Sequence, residues 1–572
     1  MKKIITRKVP ENISLLHQQP LLNRIYAARG VMSVAELDYD LARLSPYNEL
    51  KGIEQAVECL AEAFQEQQRV LIVGDFDADG ATSTALAVLA LKSLGLKNIS
   101  YLIPSRFDFG YGLTPEIVAV AAKQEPQLIV TVDNGITSAA GVKAANDLGI
   151  KVLITDHHLP SDELPKAHAI INPNQHGDQF LSKNLAGVGV IFYLMIALRT
   201  HLRDIGWFDA QNIPAPNMAQ FLDLVALGTV ADVVSLDCNN RILVAQGLQR
   251  IRAGKCRMSI KALLAITKRS FENVLASDLG FVIAPRINAV GRLDDMSVGV
   301  ECLLTEDVEH ARSIAKQLDV LNNERRGIEE DMRRQAIRIL DDLQLEQDLP
   351  SGLCIFEETW HQGVLGILAS RLKDKLHRPV IAFTAISETE IRGSARSIGG
   401  VHMRDVLNKI SVQNPGLITR FGGHAMAAGL SLERDSYEMF AQIFATEIEQ
   451  HLGSTDLDGV VYTDGELAAE YFNLATAELL RDAGPWGEGF PEPAFFGEFV
   501  LVDQRLVGQK HLKLTLRTSE TKQEIDAIWF NINPNIWPNF RCAKAKMVYR
   551  LGINEYNGRR SLQLMVDELV PN

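Results

Sequence analysis

The chain has 572 residues, 47% of them hydrophobic and 23% charged. This globular balance predicts roughly three to five compact units and excludes a fibrous or low-complexity protein. No apolar run reaches the ~18 residues needed to cross a bilayer, the longest being Gly187 to Leu198, and the formal charge of −13 argues mildly against a nucleic-acid partner, although a basic groove can sit on an acidic protein.

The N-terminus is basic (Lys2, Lys3, Arg7, Lys8), but Pro10 and Glu11 stand where a signal peptide needs an apolar stretch. Residues 1–45 show little periodicity and read as an extension packed on the body. From about residue 50 the pattern is α/β: Val70-Leu71-Ile72-Val73 reads as a buried strand, followed by Gly74-Asp75-Phe76-Asp77-Ala78-Asp79-Gly80 and a helix over 81–94. Strands recur at 99–103, 128–132, 152–155 and 169–171 with helical segments between them, the pattern of a parallel sheet covered on both faces. Gly187-Val188-Gly189 reads as a helix start, since no clear strand precedes it, and residues 221–234 read as a buried helix carrying Asp223 and Asp232.

Between His310 and Leu343 there is no proline and one glycine, and Ile314, Leu318, Leu321, Ile328, Met332, Ile339 and Leu343 keep helical spacing. A continuous helix of this length spans roughly 50 Å and reads as a connector; the alternative is two helices broken near Gly327. A second α/β block begins with a strand over 353–356 and ends near residue 452. Short strands over 499–502, 512–516, 524–530, 546–551 and 562–566 then predict a small all-β barrel or sandwich. The expected division is an extension (1–45), a first α/β domain (46–309), the connector (310–345), a second α/β domain (346–455) and the β domain (456–572). Six scattered cysteines without a Cys-x-x-Cys pair exclude a zinc ribbon and fit reduced thiols in the cytoplasm.

The strongest chemical signal lies at predicted strand ends. Asp75, Asp77 and Asp79 follow the first strand, Asp133 follows another, and Asp156, His157 and His158 follow a third. Open parallel sheets gather functional groups at the carboxyl ends of their strands. One such aspartate is often only a cap, but three clusters in succession point to one site. Carboxylates packed together repel unless neutralised, and oxygen ligands with one or two imidazoles suit two Mn²⁺ or Mg²⁺ ions placed for in-line attack on phosphorus. No P-loop is present.

Asp77-Ala78-Asp79, Asp133-Asn134-Gly135, Asp156-His157-His158 and Ala231-Asp232 resemble, in order, the four motifs of the DHH phosphoesterase superfamily. The phrase Gly74 to Gly80, Pro285-Arg286-Ile287-Asn288-Ala289-Val290-Gly291-Arg292, Leu321-Asn322-Asn323-Glu324-Arg325-Arg326, Gly393-Ser394-Ala395-Arg396-Ser397 and Phe421-Gly422-Gly423-His424 are similar to RecJ-type single-stranded-DNA exonucleases. The resemblance implies DHH and DHHA1 α/β domains joined by the long helix, followed by an OB-like barrel. Asp77 and Asp79 would ligate different ions, Asp133 would bridge them, and His157 and Asp232 would complete one shell. His158 would face the scissile phosphate or the attacking water, and Asp75, whose exact role is open, would join it and Asp133 among the catalytic groups. For Asp232 the alternative is a buried helix cap.

For the substrate, the resemblance implies that Ser394 and Arg396 grip a terminal phosphate in the second α/β domain, where Gly422, Gly423 and His424 belong to the binding segment. Arg106 is a further phosphate candidate, and either Arg286 or Arg292 would contact the scissile phosphate. From residue 501 onward there are 11 Lys/Arg against 7 Asp/Glu. Lys510, His511, Lys513, Arg517, Arg541, Lys544, Lys546, Arg550, Arg559 and Arg560 lie among Trp529, Phe530 and Tyr556, a composition that fits base stacking and backbone tracking, with Phe530 itself expected in the core. The implied activity is 5′-to-3′ degradation of single-stranded DNA to mononucleotides in recombination and repair, with a channel admitting one strand, and a single-strand-binding protein and a helicase as partners. The rivals are a superfamily enzyme of small substrates, which needs no extra basic domain, and a binding module, which has no reason to keep repelling carboxylates.

Overall fold

The computed structural model describes residues 3–11, 15–107, 109, 111–342, 349–452, 459–508, 510–518, 523–533, 536–556 and 558–571. Lys2, Leu343 with the end of the expected connector, and the side chain of Tyr556 lie outside them. The chain divides into two compact units, one formed by Met1–Ile4, Arg292–Asp294 and Asp319–Val461, the larger by Ile5–Gly291, Asp295–Leu318 and Tyr462–Asn572. Among the described residues no helix is long and apolar enough to cross a membrane.

After a short strand, β1 (Lys3–Thr6), the N-terminal segment forms a helix, Pro20–Ala27, with Leu21, Leu22 and Ile25 buried. A parallel sheet follows: β2 (Val70–Gly74), β3 (Ile99–Leu102), β4 (Leu128–Val132), β5 (Lys151–Thr155) and β6 (Ala169–Ile171), ordered β3-β2-β4-β5-β6. Every residue of β2 and β4 is buried, as apolar β-branched runs in a doubly covered parallel sheet must be. Parallel pairing throughout puts all five carboxyl ends on one edge. Helices Ala78–Leu94, Gly187–Asp204 and Leu222–Ala231, apolar almost all round, pack on one another as the core of this unit. The first of them starts three residues before the expected position because Asp77 caps it, accepting from the N–H groups of Asp79 and Gly80. The last stops at Ala231 because Val233 adopts φ +62°, a left-handed conformation that no helix interior tolerates.

Val308–Asp342 is one continuous helix that runs through Gly327 without a break. Its 35 residues correspond to about 52 Å. In the smaller unit its residues Met332, Ala336 and Leu340 pack with Trp360, Leu365 and Leu368. There β7 (Leu353–Phe356), β8 (Val380–Ala385), β9 (Glu390–Arg396), β10 (Arg420–Gly423) and β11 (Ala427–Glu433) form a sheet ordered β10-β11-β9-β8-β7. Only β7 and β8 pair in parallel; the rest is antiparallel.

β12 (Val460–Thr463) pairs with β1, and a closed barrel follows: β13 (Phe495–Val507), β14 (His511–Thr518), β15 (Glu524–Trp529), β16 (Lys544–Tyr556) and β17 (Arg559–Pro571), ordered β13-β14-β15-β17-β16. All five strands exist where expected and four run well past the apolar stretches that marked them. Polar residues continue the pairing while only alternate positions face inward, as with Leu512, Leu514 and Leu516 of β14. Phe530 corrects the sequence reading: it is 45% exposed because it lies just past the end of β15, and the core aromatic nearby is Trp537 at 4%.

The segment after β12 is tied to the N-terminal helix. Tyr26 stacks on Trp486 and Phe490, and Arg29 bonds both oxygens of Asp464 at 2.8 and 3.1 Å, with side chains only 1% and 2% exposed. Removing one member of a buried pair leaves the other charge uncompensated and typically costs about 3–5 kcal/mol. Asp464→Ala is therefore expected to lower the melting temperature markedly in a thermal scan, whereas truncating the exposed pair partner Asp147 should leave it within about a degree.

Candidate metal centre

Three loops at the carboxyl edge of the parallel sheet supply the centre. The first, Asp75 to Asp79, links β2 to its helix. Asp79 accepts from the N–H groups of Gly187 (2.7 Å) and Val188 (3.0 Å), the first turn of the apolar helix Gly187–Asp204. The helix dipole and two unsatisfied amides thus meet a carboxylate. Gly187 cannot be larger: a Cβ there would lie 2.7 Å from Cβ and Oδ1 of Asp133. The second loop begins at Asp133, held at φ +62°; its neighbour Asn134 donates to the carbonyls of Val73 and Val132, lacing β2 to β4. The third, Asp156-His157-His158, is fixed from below: Asn172 donates to the carbonyl of His158 and Asn174 to that of His157.

These loops, with Asp232 at the C-terminal cap of helix Leu222–Ala231, bring ligand atoms into three sets, each within 4.8 Å: Asp79, His157 and Asp232; Asp75, Asp77 and Asp133; and Asp133, His157 and His158. His157 Nε2 lies 3.1 Å from Asp133 Oδ1 and 3.5 Å from Asp232 Oδ2. Asp133 belongs to two of the sets, and its Oδ1 is buried without a hydrogen-bond donor. Such an atom is costly in a folded interior unless a cation meets it. Carboxylate oxygens with imidazole nitrogen and no thiolate fit a hard divalent ion such as Mn²⁺ or Mg²⁺. Asp75, left open by the sequence, stands with Asp77 and Asp133 as a ligand candidate.

The electrostatics carry the same signature. Burial, and after it repulsion by Asp77, pushes Asp75 up to about 8 and Asp79 to about 7. Asp133 and Asp232 are raised well above the ordinary carboxylate range by burial and by Asp79 and Asp77. Asp156 behaves oppositely: burial raises it, but the hydrogen bond and charge of His158 outweigh this and leave it lowered. His158 is its counterpart. Burial works to lower it, yet Asp156, 2.7 Å from Nδ1, drives it up to about 9. Arg106 lies over the ring of Phe76, its guanidinium 4.2 Å from the centroid. Burial lowers its pKa, and Asp75 and Asp77 oppose that shift.

The other expected residues fall in separate places. Arg286 donates to the carbonyl of Val282 (2.6 Å) and Arg292 to that of Gly363 (3.1 Å). In the smaller unit Ser394 and Arg396 share β9 and one hydrogen bond (3.3 Å), and Arg396 pairs in register with Ala427, whose carbonyl accepts from the N–H of His424. The Arg396 guanidinium abuts Gly366 in the first turn of helix Leu365–Leu376. Gly423 has a structural reason of its own, φ +140° with a Cβ position 2.4 Å from the Ala427 carbonyl, while Gly422 faces open space. On the barrel, Lys513, Arg517, Lys544, Arg550 and Arg560 are ion-paired. Lys510, Lys546, Arg541 and Arg559 have no carboxylate within 4 Å among the described residues, and Phe540 and Ile536 are exposed. Sequence reading missed Phe540, the stacking role of Phe76, the two asparagines beneath the histidines, Asn288, which accepts from the N–H of Ala78, and Tyr111, whose hydroxyl meets His158. Only Phe76, sitting between two of the acids, carried a usable signal.

The DHH family N-terminal domain matches residues 69–229, the DHHA1 domain 350–450 and the RecJ OB domain 463–568. The chain is 53% identical to the single-stranded-DNA-specific exonuclease RecJ of Escherichia coli over 99% of this chain and 98% of that protein. Two crystal structures of Thermus thermophilus RecJ cover all of it, one in complex with Mn²⁺ (27% identity, TM-score 0.80, 79% of that chain) and one with Mg²⁺ (25%, 0.74, 78%).

Raised carboxylate pKa values mean that the metal-free fold holds protons more tightly than the unfolded chain. Its stability therefore falls as pH rises from the ordinary value of 3.8 through about 7 and about 8, where Asp79 and Asp75 ionise. In EDTA, the melting temperature is expected to drop from about pH 6 to about pH 8.5. Asp133→Asn should shrink that drop and raise the melting temperature at the higher pH. An equal drop in wild type and variant would contradict the electrostatic account.

Proposed function

The chain belongs to the RecJ family, and from that membership we propose that it is a metal-dependent exonuclease that hydrolyses single-stranded DNA from the 5′ end to mononucleotides. The observation that carries the proposal is that Asp133 shares one ligand set with Asp75 and Asp77 and another with His157 and His158, while His157 also joins Asp79 and Asp232. Asp79, His157, Asp232 and Asp133 would hold one Mn²⁺ or Mg²⁺, and Asp75, Asp77 and Asp133 a second. When bound, two such ions supply an acidified water for attack on phosphorus and neutralise charge on the phosphate oxygens.

The chain's own groups do the rest. His158, kept charged by Asp156, offers a cation and an N–H donor toward the phosphate. Arg106, seated on Phe76, is held with its fork available for a phosphate oxygen. Ser394 and Arg396, with the Gly422-Gly423-His424 hairpin and the helix start at Gly366, form the grip for the terminal phosphate, and Arg286 or Arg292 meets the scissile one. The barrel, with exposed Phe530 and Phe540 beside Lys510 and Arg541, tracks and stacks the strand. The work is recombination and repair of DNA in the cytoplasm, with a single-strand-binding protein and a helicase as partners. The six cysteines, all free, agree with a reducing compartment.

The test is digestion of single-stranded and duplex DNA labelled at either end, with Mn²⁺, Mg²⁺ or EDTA. Mononucleotides should leave the 5′ end of single strands only, with no release in EDTA and at least about a thousandfold loss in Asp133→Ala. Release from the 3′ end would overturn the polarity. Cleavage confined to dinucleotides would move the protein to the small-substrate branch.

A further inference from the structure

Tyr111 belongs to none of the ligand sets, yet its hydroxyl joins two of the loops that carry them. It donates to the main-chain carbonyl of Asp133 at 3.1 Å and lies 3.0 Å from Nδ1 and 3.5 Å from Nε2 of His158. Those two distances seat the hydroxyl close against the imidazole ring. A phenol has one proton, and with that proton on the Asp133 carbonyl its lone pairs face the ring. Asp156 Oδ1, 2.7 Å from Nδ1, fixes the imidazole from another side. The Tyr111 ring stands edge-on to Phe76 (6.3 Å, 78°) and to His158 (5.5 Å, 71°), so its own direction is set by packing.

We propose that Tyr111 is a positioning residue: its hydroxyl locks the His158 ring to the left-handed turn at Asp133, so that the imidazole and the bridging carboxylate keep one mutual geometry. The carbonyl it holds belongs to a residue at φ +62°, a conformation that persists only when its surroundings fix it. The Tyr111 hydroxyl and Asp156 both restrain the ring of His158, and loss of the hydroxyl loosens it. A misplacement of about 1 Å at a reacting group can cost on the order of a hundredfold in rate, while substrate held elsewhere on the chain binds as before. The proposal rests on the reading of His158 as the group that faces the phosphate.

Tyr111→Phe keeps the ring and deletes only the hydroxyl. Single-turnover rates on end-labelled single-stranded DNA would be measured for wild type, Tyr111→Phe, His158→Asn and the double variant, with Mn²⁺ binding followed by calorimetry. The expected result is about a tenfold lower maximal rate for Tyr111→Phe, with unchanged half-saturating DNA concentration and Mn²⁺ affinity. In the His158→Asn background the same change should cost less than about twofold, because residues acting through one another are non-additive. A wild-type rate in Tyr111→Phe, a loss confined to DNA affinity, or equal tenfold losses in both backgrounds would overturn the role of Tyr111 alone. A wild-type rate in His158→Asn would instead remove the His158 reading, and the Tyr111 proposal with it.

Discussion

Mutual repulsion among Asp75, Asp77, Asp79, Asp133 and Asp232 is the constraint around which the larger unit is built. Buried carboxylates a few ångströms apart cost free energy unless protons or cations meet them. Each surrounding feature makes the cluster tolerable or holds it in place. The start of helix Gly187–Asp204 turns two amides toward Asp79, and Asp77 is occupied as a helix cap. The missing side chain at Gly187 leaves room for Asp133 itself. The parallel sheet makes the convergence possible, since only parallel pairing puts the ends of β2, β4 and β5 on one edge. Divalent ions held by these acids would relieve the repulsion and so couple the integrity of the fold to metal supply.

Most of this architecture was legible in the sequence because the physical signals were local. Buried parallel strands are continuous apolar runs, so 70–73 and 128–132 announced themselves, and the acids behind them followed from strand ends. The long helix was readable from its spacing, and the structure removes the alternative of a break at Gly327. Helix ends were less legible. Asp77 as a cap lengthens one helix and the left-handed Val233 shortens another, and neither shows in apolar periodicity. The barrel strands were placed correctly but four of the five were drawn short, because inward-facing alternation says where a strand is and little about how far its polar ends stay paired.

What sequence could not supply were contacts between residues distant along the chain. Tyr111 meets His158, Asn288 meets Ala78, and Asn172 and Asn174 pin the histidine loop. All are ordinary residues until the topology brings them together. Phe530 was assigned to the core from its type, yet one residue beyond β15 is enough to turn it outward. The basic count of the barrel likewise overstated its free charge, since Lys513, Arg517, Arg550 and Arg560 are engaged in ion pairs. Exposed pairs of this kind are weak enough for a phosphate to displace, so the count bounds the binding surface without locating it. The Gly422-Gly423 pair shows the same limit, one glycine being required by the hairpin and the other having room to spare.

The central claim is that the acidic cluster is a site for two divalent ions sharing Asp133. Calorimetric titration of the metal-free protein with Mn²⁺ tests it most directly. The account predicts two ions bound per chain and loss of at least one of them in Asp133→Asn, with the fold of the variant intact by circular dichroism. A single ion in the wild type, or full two-ion binding in the variant, would contradict it.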